Sequence, residues 1–303
     1  MLRKRYAFVR VSSWLVCLCA FVVFASLASS AQSRPKAEER TVIFAVSVQY
    51  FPADSVTHKG IEPIVIIDGK SYVKPPSNDD ELAKFGKSYY REGQIYRLFF
   101  GGAEAGAVSV KKWSDSDLHG CFYPGAEVEI KSPLELGGDS KALATNSTVS
   151  GRQKSSRRAP SSDEKTEILK LAQEAYRQKG VPVTLLQSIE VVTVIATDLD
   201  GDGVAELIGS FKIGDSRDQT PVRSLFLIAA KQSSAYQLEL VWYHAGAETH
   251  YEARSFVDQL DLDGDGVDEI VTEGSYYESG DYQIYKKRKG QWLMVYKGGG
   301  GGC

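Results

Sequence analysis

The 303-residue sequence is poor in the residues that most often announce catalysis or metal chemistry: it has four cysteines, four histidines and two methionines. Two of the cysteines, Cys17 and Cys19, fall within the first 31 residues, leaving Cys121 and Cys303. No CxxC pair stands beyond residue 31, so a thiol redox motif is excluded. Cys121 and Cys303 either pair with each other or remain as free or intermolecular thiols, and the glycines of the closing "GGGGGC" define no position for the second. No nucleophile elbow and no phosphate-cradling loop is present, and the glycines of "FFGGAEAGAVSV" miss the dinucleotide-binding spacing.

Basic excess is lacking too. Arg3, Lys4, Arg5 and Arg10 precede an apolar run from Trp14 to Ala25 and small residues ending at Ala31, the layout of a secretory signal over residues 1–31. The competing reading is an uncleaved anchor. Four of the 36 basic residues and none of the 39 acidic ones lie in that segment, so the rest carries 32 against 39, a net charge of −7. A negative chain without a basic stripe is a poor binder of nucleic acid or of anionic membranes. No later run is long and apolar enough to span a bilayer, so the expectation is a secreted, periplasmic or cell-envelope protein with no membrane span after the signal.

What is present is mainly β. Residues 41–135 hold short strand-like runs such as "TVIFAVSVQYF" and "PIVIIDGKSYV", with one helical stretch, "NDDELAKFGKSYY". They predict a small β-barrel or sandwich. Residues 136–160 are small, polar and basic in the middle, through Arg152, Lys154, Arg157 and Arg158, and read as a flexible linker. Residues 161–298 begin with a capping box, Ser161 and Glu164, ahead of a helix bearing Ile168, Leu171, Ala172, Ala175 and Tyr176 on one face and closed by Gly180. Eight strand-like runs follow in two sets of four. Residues 299–303 form a glycine-rich tail.

The first turn of each set carries nearly the same ten letters, "DLDGDGVAEL" from Asp198 and "DLDGDGVDEI" from Asp261, 63 residues apart. Asp198, Asp200, Asp202 and Glu206 place acids at positions one, three, five and nine, with Gly203 at the sharp bend; Asp261, Asp263, Asp265, Gly266 and Glu269 repeat the pattern. Calcium takes six to eight hard oxygens, and alternating acids around a tight turn can converge on one such ion, with the carbonyl of Val204 or Val267 at position seven. Two Ca2+ sites are therefore expected. Without a cation, four like charges crowd each turn. An EF-hand needs a glutamate at position twelve and flanking helices, whereas Gly209 and Thr272 stand there between strands.

These turns, each ending one strand and opening the next, resemble the calcium loops of FG-GAP repeats, the blades of integrin-α-type propellers. The resemblance covers roughly residues 185–298 and implies that the acids named above and the position-seven carbonyls are calcium ligands in four-stranded, propeller-blade-like antiparallel repeats. Position nine is Glu where that family usually has Asp. Two blades do not close a propeller. The expected solution is two sheets packed on each other or side by side with the helix covering an open face, or a ring completed by further copies of the chain as a homo-oligomer.

Other groups carry weaker signals. Tyr276, Tyr277, Tyr282, Tyr285, Trp292 and Tyr296, with Trp242 and Tyr243, make either a sugar or peptide platform or ordinary strand packing. His244, Glu248 and His250 invite zinc, but the helical HExxH spacing is missing. The leading expectation is an exported calcium-binding interaction module with a protein or carbohydrate ligand. The alternatives are an extracytoplasmic hydrolase with its site between the domains and a structural envelope protein.

Overall fold

The computed structural model describes residues 40–51, 56–113, 125–137, 141–148, 151–214, 221–247 and 250–302. The signal expected over residues 1–31, the question of Cys121 and Cys303, and Glu248 lie outside the described residues. Among the described residues no helix is long and apolar enough to cross a membrane.

In the first half, strands with alternating side chains curl until their edges meet. β1 (Thr41–Phe51), β2 (Val56–Asp68), β4 (Ile95–Phe100), β5 (Ala103–Lys112), β6 (Ala126–Lys131) and β7 (Ala142–Thr145) run in the order β1-β7-β4-β5-β6-β2. β2 pairs back onto β1, closing a six-stranded antiparallel barrel with short β3 (Ser71–Val73) added at β2. Closure leaves no long edge for another chain to extend. Val42, Phe44, Val46, Tyr96, Leu98 and Val108 fill the interior. Helix α1 (Asp79–Tyr89) lays Phe85 on this core; it starts at Asn78, whose side chain accepts the Glu81 N–H at 3.0 Å.

The second half begins with helix α2 (Ser162–Gln178), where the capping box of Ser161 and Glu164 forms as expected. After a 3-10 turn, Val183–Ser188, come β8 (Glu190–Thr197), β9 (Glu206–Ile213), β10 (Val222–Gln232) and β11 (Ala235–Gly246), then β12 (Glu252–Leu260), β13 (Glu269–Tyr276), β14 (Gly280–Arg288) and β15 (Gln291–Gly298). Each set of four is an antiparallel meander, in the orders β11-β10-β9-β8 and β12-β13-β14-β15.

Side-chain alternation decides how the layers stack. Leu207, Phe211, Leu225 and Leu227 face α2, while Ile208, Phe226 and Ile228 face Phe256, Ile270, Tyr285 and Trp292 of the second sheet. The other side of that sheet, through Val257, Val271, Tyr282 and Ile284, meets Ile43, Ala45, Phe99 and Leu143 on the outside of the barrel. The order is therefore helix, sheet, sheet, barrel. Sheets buried on both faces read as continuous apolar runs, and "SLFLIAA" in β10 is one. Gly209 lets α2 approach: a Cβ there would lie 2.5 Å from the Phe211 ring and 2.9 Å from Ile168.

The stretch expected to be a solvated linker, residues 136–160, is corrected by this arrangement. Its Ala142–Thr145 is β7, fully buried between β1 and β4. Arg157 lies against Phe100 and Phe256, 4.5 and 5.0 Å from the ring centroids, and donates to Asp258 at 3.2 Å and to the Lys141 and Val257 carbonyls. Arg158 makes a bidentate pair with Glu164, both contacts 2.7 Å. The basic residues are here because the acids that need them lie downstream. The glycine tail is also placed, since Gly280 donates its N–H to the Gly301 carbonyl at 2.8 Å.

Candidate metal centre

Both acidic turns close β-hairpins, β8 to β9 and β12 to β13, and both are built from within. Asp198 accepts the N–H groups of Gly201 (2.7 Å) and Gly203 (3.0 Å), and Asp261 accepts those of Gly264 (2.7 Å) and Gly266 (2.9 Å). All four glycines have φ between +78° and +88°, a region glycine enters without steric penalty. The position-nine glutamates are buried and bind the chain from beneath: Glu206 accepts the Leu199 N–H at 2.8 Å and Glu269 the Leu262 N–H at 2.7 Å. Val204 and Val267 donate their N–H groups to Asp202 and Asp265 at 2.7 and 3.0 Å.

Two groups of three carboxylates could hold a metal ion. Oxygens of Asp198, Asp200 and Glu206 lie within 4.8 Å of one another, as do oxygens of Asp261, Asp263 and Asp265. Asp202 of the first turn and Glu269 of the second, both expected as ligands, stand outside these groups. An all-oxygen donor set suits hard cations such as calcium or magnesium rather than zinc or copper. In the first turn, Asp200 Oδ1 is buried and accepts no hydrogen bond. Such an orphaned acceptor is costly unless something positive meets it, and in this respect the residues of the first turn fit a cation.

The first turn is anchored by residues that motif spacing does not reveal. Gln259 accepts from Thr197 at 2.6 Å and donates to the Asp198 carbonyl at 3.1 Å and to Asp268 at 2.8 Å. Arg152 donates to the Leu199 carbonyl at 2.8 Å and pairs with Asp268 at 3.1 Å and Asp198 at 3.7 Å. Lys287 lies 3.6 Å from Asp200 and 2.9 Å from Glu239. Burial, with the Asp200 charge adding to it, pushes the Glu206 carboxyl up to about 7.

The second turn differs. Lys286 Nζ sits among its acids, 2.7 Å from both oxygens of Asp263, 2.7 Å from Asp265 and 2.8 Å from Glu269. Burial opposes the charge on Lys286, yet its hydrogen bonds to Asp263, Asp265 and Glu269 hold it above the ordinary lysine range. The same hydrogen bond holds Asp265 low. Burial pushes Glu269 up to about 7 against the pull of Lys286.

The aromatic platform does not assemble. Tyr282 and Tyr296 enter the core beside the barrel, and Tyr285 and Trp292 the core between the sheets. Tyr276 and exposed Tyr277 instead line an open cleft of about 490 Å³ with His244, His250, Glu252 and Glu278. There His244 Nε2 contacts the His250 carbonyl at 2.6 Å, and no third metal ligand joins the two histidines among the described residues. No protein-family model matches the chain, and no curated protein or solved structure matches it either, so the site is read from its own residues.

Proposed function

We propose that the protein is an exported, calcium-stabilised binding or interaction module. The observation that carries this reading is the convergence of Asp198, Asp200 and Glu206, with a buried Asp200 oxygen that accepts no hydrogen bond, at a turn pinned by Arg152 and Gln259 between the two sheets. The likeness of "DLDGDGVAEL" and "DLDGDGVDEI" to FG-GAP calcium loops supports the same ion. A bound cation would meet the Asp200 oxygen that Arg152 and Lys287, at the edge of the turn, leave without a hydrogen bond. Asp198, Asp200 and Glu206 would hold it, while Gln259 and Arg152 keep the turn in register with the second repeat.

In this reading calcium is a structural clip, and recognition of a protein or carbohydrate ligand belongs to surfaces away from the turn. The cleft beside Tyr276 and Tyr277 is the first such surface to probe.

The test is a calorimetric calcium titration beside thermal melts in chelator and in millimolar calcium. At ten times the dissociation constant, one site adds about 1.4 kcal/mol by mass action. Saturable heat and a raised melting temperature, both lost in Asp200→Ala, are expected. Absence of heat and of any shift would reduce the repeated motif to an Asp-Gly turn and remove calcium from the reading.

A further inference from the structure

We infer that the two acidic turns have different cations: the first takes the metal ion, and the second is closed by the chain's own Lys286, so the protein binds one calcium rather than two. This rests on the calcium reading above and refines it. The Lys286 ammonium has three N–H donors and meets three carboxylates, those of Asp263, Asp265 and Glu269. These are positions three, five and nine of the motif, which in the first turn correspond to Asp200, Asp202 and Glu206. The lysine side chain is 9% exposed, and that of Glu269 beneath it is fully buried. A metal ion entering this turn must displace an ammonium held by four contacts of 2.7 to 2.8 Å.

Strand register explains why the first turn has no such lysine. Ile270, the residue after position nine, pairs with Tyr285, and Lys286 follows Tyr285. Leu207, the equivalent residue of the first repeat, pairs with Ala229, and Ala230 follows. An alanine methyl stands where the second repeat has a long cationic side chain. The neighbouring lysine of β14, Lys287, points to the opposite face because strand side chains alternate. It goes to Glu239 at 2.9 Å and stays 3.6 Å from Asp200, leaving Asp200 Oδ1 without a partner. Of two nearly identical motifs, one has an ammonium seated among its carboxylates, while the other has cations only at its edge, Arg152 3.7 Å from Asp198 and Lys287 3.6 Å from Asp200, and keeps an Asp200 oxygen that accepts no hydrogen bond.

Calcium titration of the full chain by calorimetry tests this, using calcium chloride alone as the probe. One site is expected in the wild type, none in Asp200→Asn, and two in Lys286→Gln, which keeps most of the side-chain volume. Lys286→Met serves if the glutamine variant is poorly folded. Melts give a second readout that needs no stoichiometry. Asp263→Asn should lower the melting temperature equally in chelator and in calcium, because its partner is a lysine. Asp200→Asn should lower it only in calcium. Two sites in the wild type, with Asp263→Asn abolishing one of them, would overturn the inference while leaving the calcium reading intact. No binding by the wild type or either Lys286 variant would overturn both.

Discussion

Replacing Arg157 by alanine separates a solvated linker from a structural strap. The side chain is 6% exposed and its partner Asp258 is fully buried. Asp258 also accepts the Gly101 N–H, at 2.9 and 3.1 Å to its two oxygens, so the pair fastens the barrel to the second sheet. Truncation removes the ion pair, two hydrogen bonds to carbonyls and the stacking on Phe100 and Phe256, and strands a carboxylate. Breaking a buried pair in this way costs about 3–5 kcal/mol. Each kcal/mol lowers the melting temperature of a domain of 150–250 residues by about 2–4 °C, so a fall of roughly 6–20 °C is expected by calorimetry or circular dichroism. The size should depend on pH. Burial pushes Asp258 up to about 7 even beside Arg157, and without the arginine the carboxyl sheds its charge by protonation more readily, so the loss should be smaller at pH 6 than at pH 8. Adding Asp258→Asn should recover part of the loss. A change below about 1 kcal/mol, the range of exposed ion pairs, would refute the reasoning and return residues 151–160 to the status of a tether.

Two further outcomes follow from the geometry. Stability measured in chelator should rise as pH is lowered from 8 towards 5: burial pushes Asp258, and Glu62 beside Tyr282 and Lys141, up to about 7 from ordinary values of 3.8 and 4.5, so the folded state holds protons that the unfolded chain releases in this window. Glu164, held down to about 2 by Arg158, acts in the opposite sense only below its ordinary value of 4.5; melts in chelator that are flat or fall towards pH 5.5 would contradict the burial argument. Gly209→Ala should cost about 1–3 kcal/mol by overpacking Phe211 and Ile168, measured by denaturant unfolding, and a neutral result would mean that α2 does not press on β9 as closely as described.

Much of the second half was legible because its signals are local. The capping box at Ser161 and Glu164 lies within four residues, the eight strands show in their apolar runs, and the acidic turns repeat their own letters. The covering of a sheet by α2 was one of the two arrangements expected, the other being a ring completed by further copies of the chain. The residues that tune the turns were not legible, because their partners are distant and depend on register. Lys286 belongs to a plain "YKKRK" run until strand pairing places it over Glu269. Gln259 and Asp268 reach the first turn only when the two sheets stack, and Arg152 comes to it from the segment ahead of α2. The strand Ala142–Thr145 escaped for another reason: a single leucine among three small residues, in polar surroundings, carries too little apolar pattern to betray a strand whose burial is supplied by β1 and β4.

The strap formed by residues 151–160 bears on how such a chain can change over time. Arg152 and Arg157 are spent on Asp268 and Asp258, and the outer wall of the barrel is covered by the second sheet. A cut after residue 160 would leave one fragment with uncompensated buried acids and the other with an apolar wall open to water. The two halves are therefore not beads on a string, to be traded singly between chains or lengthened by inserting another repeat; any such rearrangement must carry its arginines along with the acids they answer.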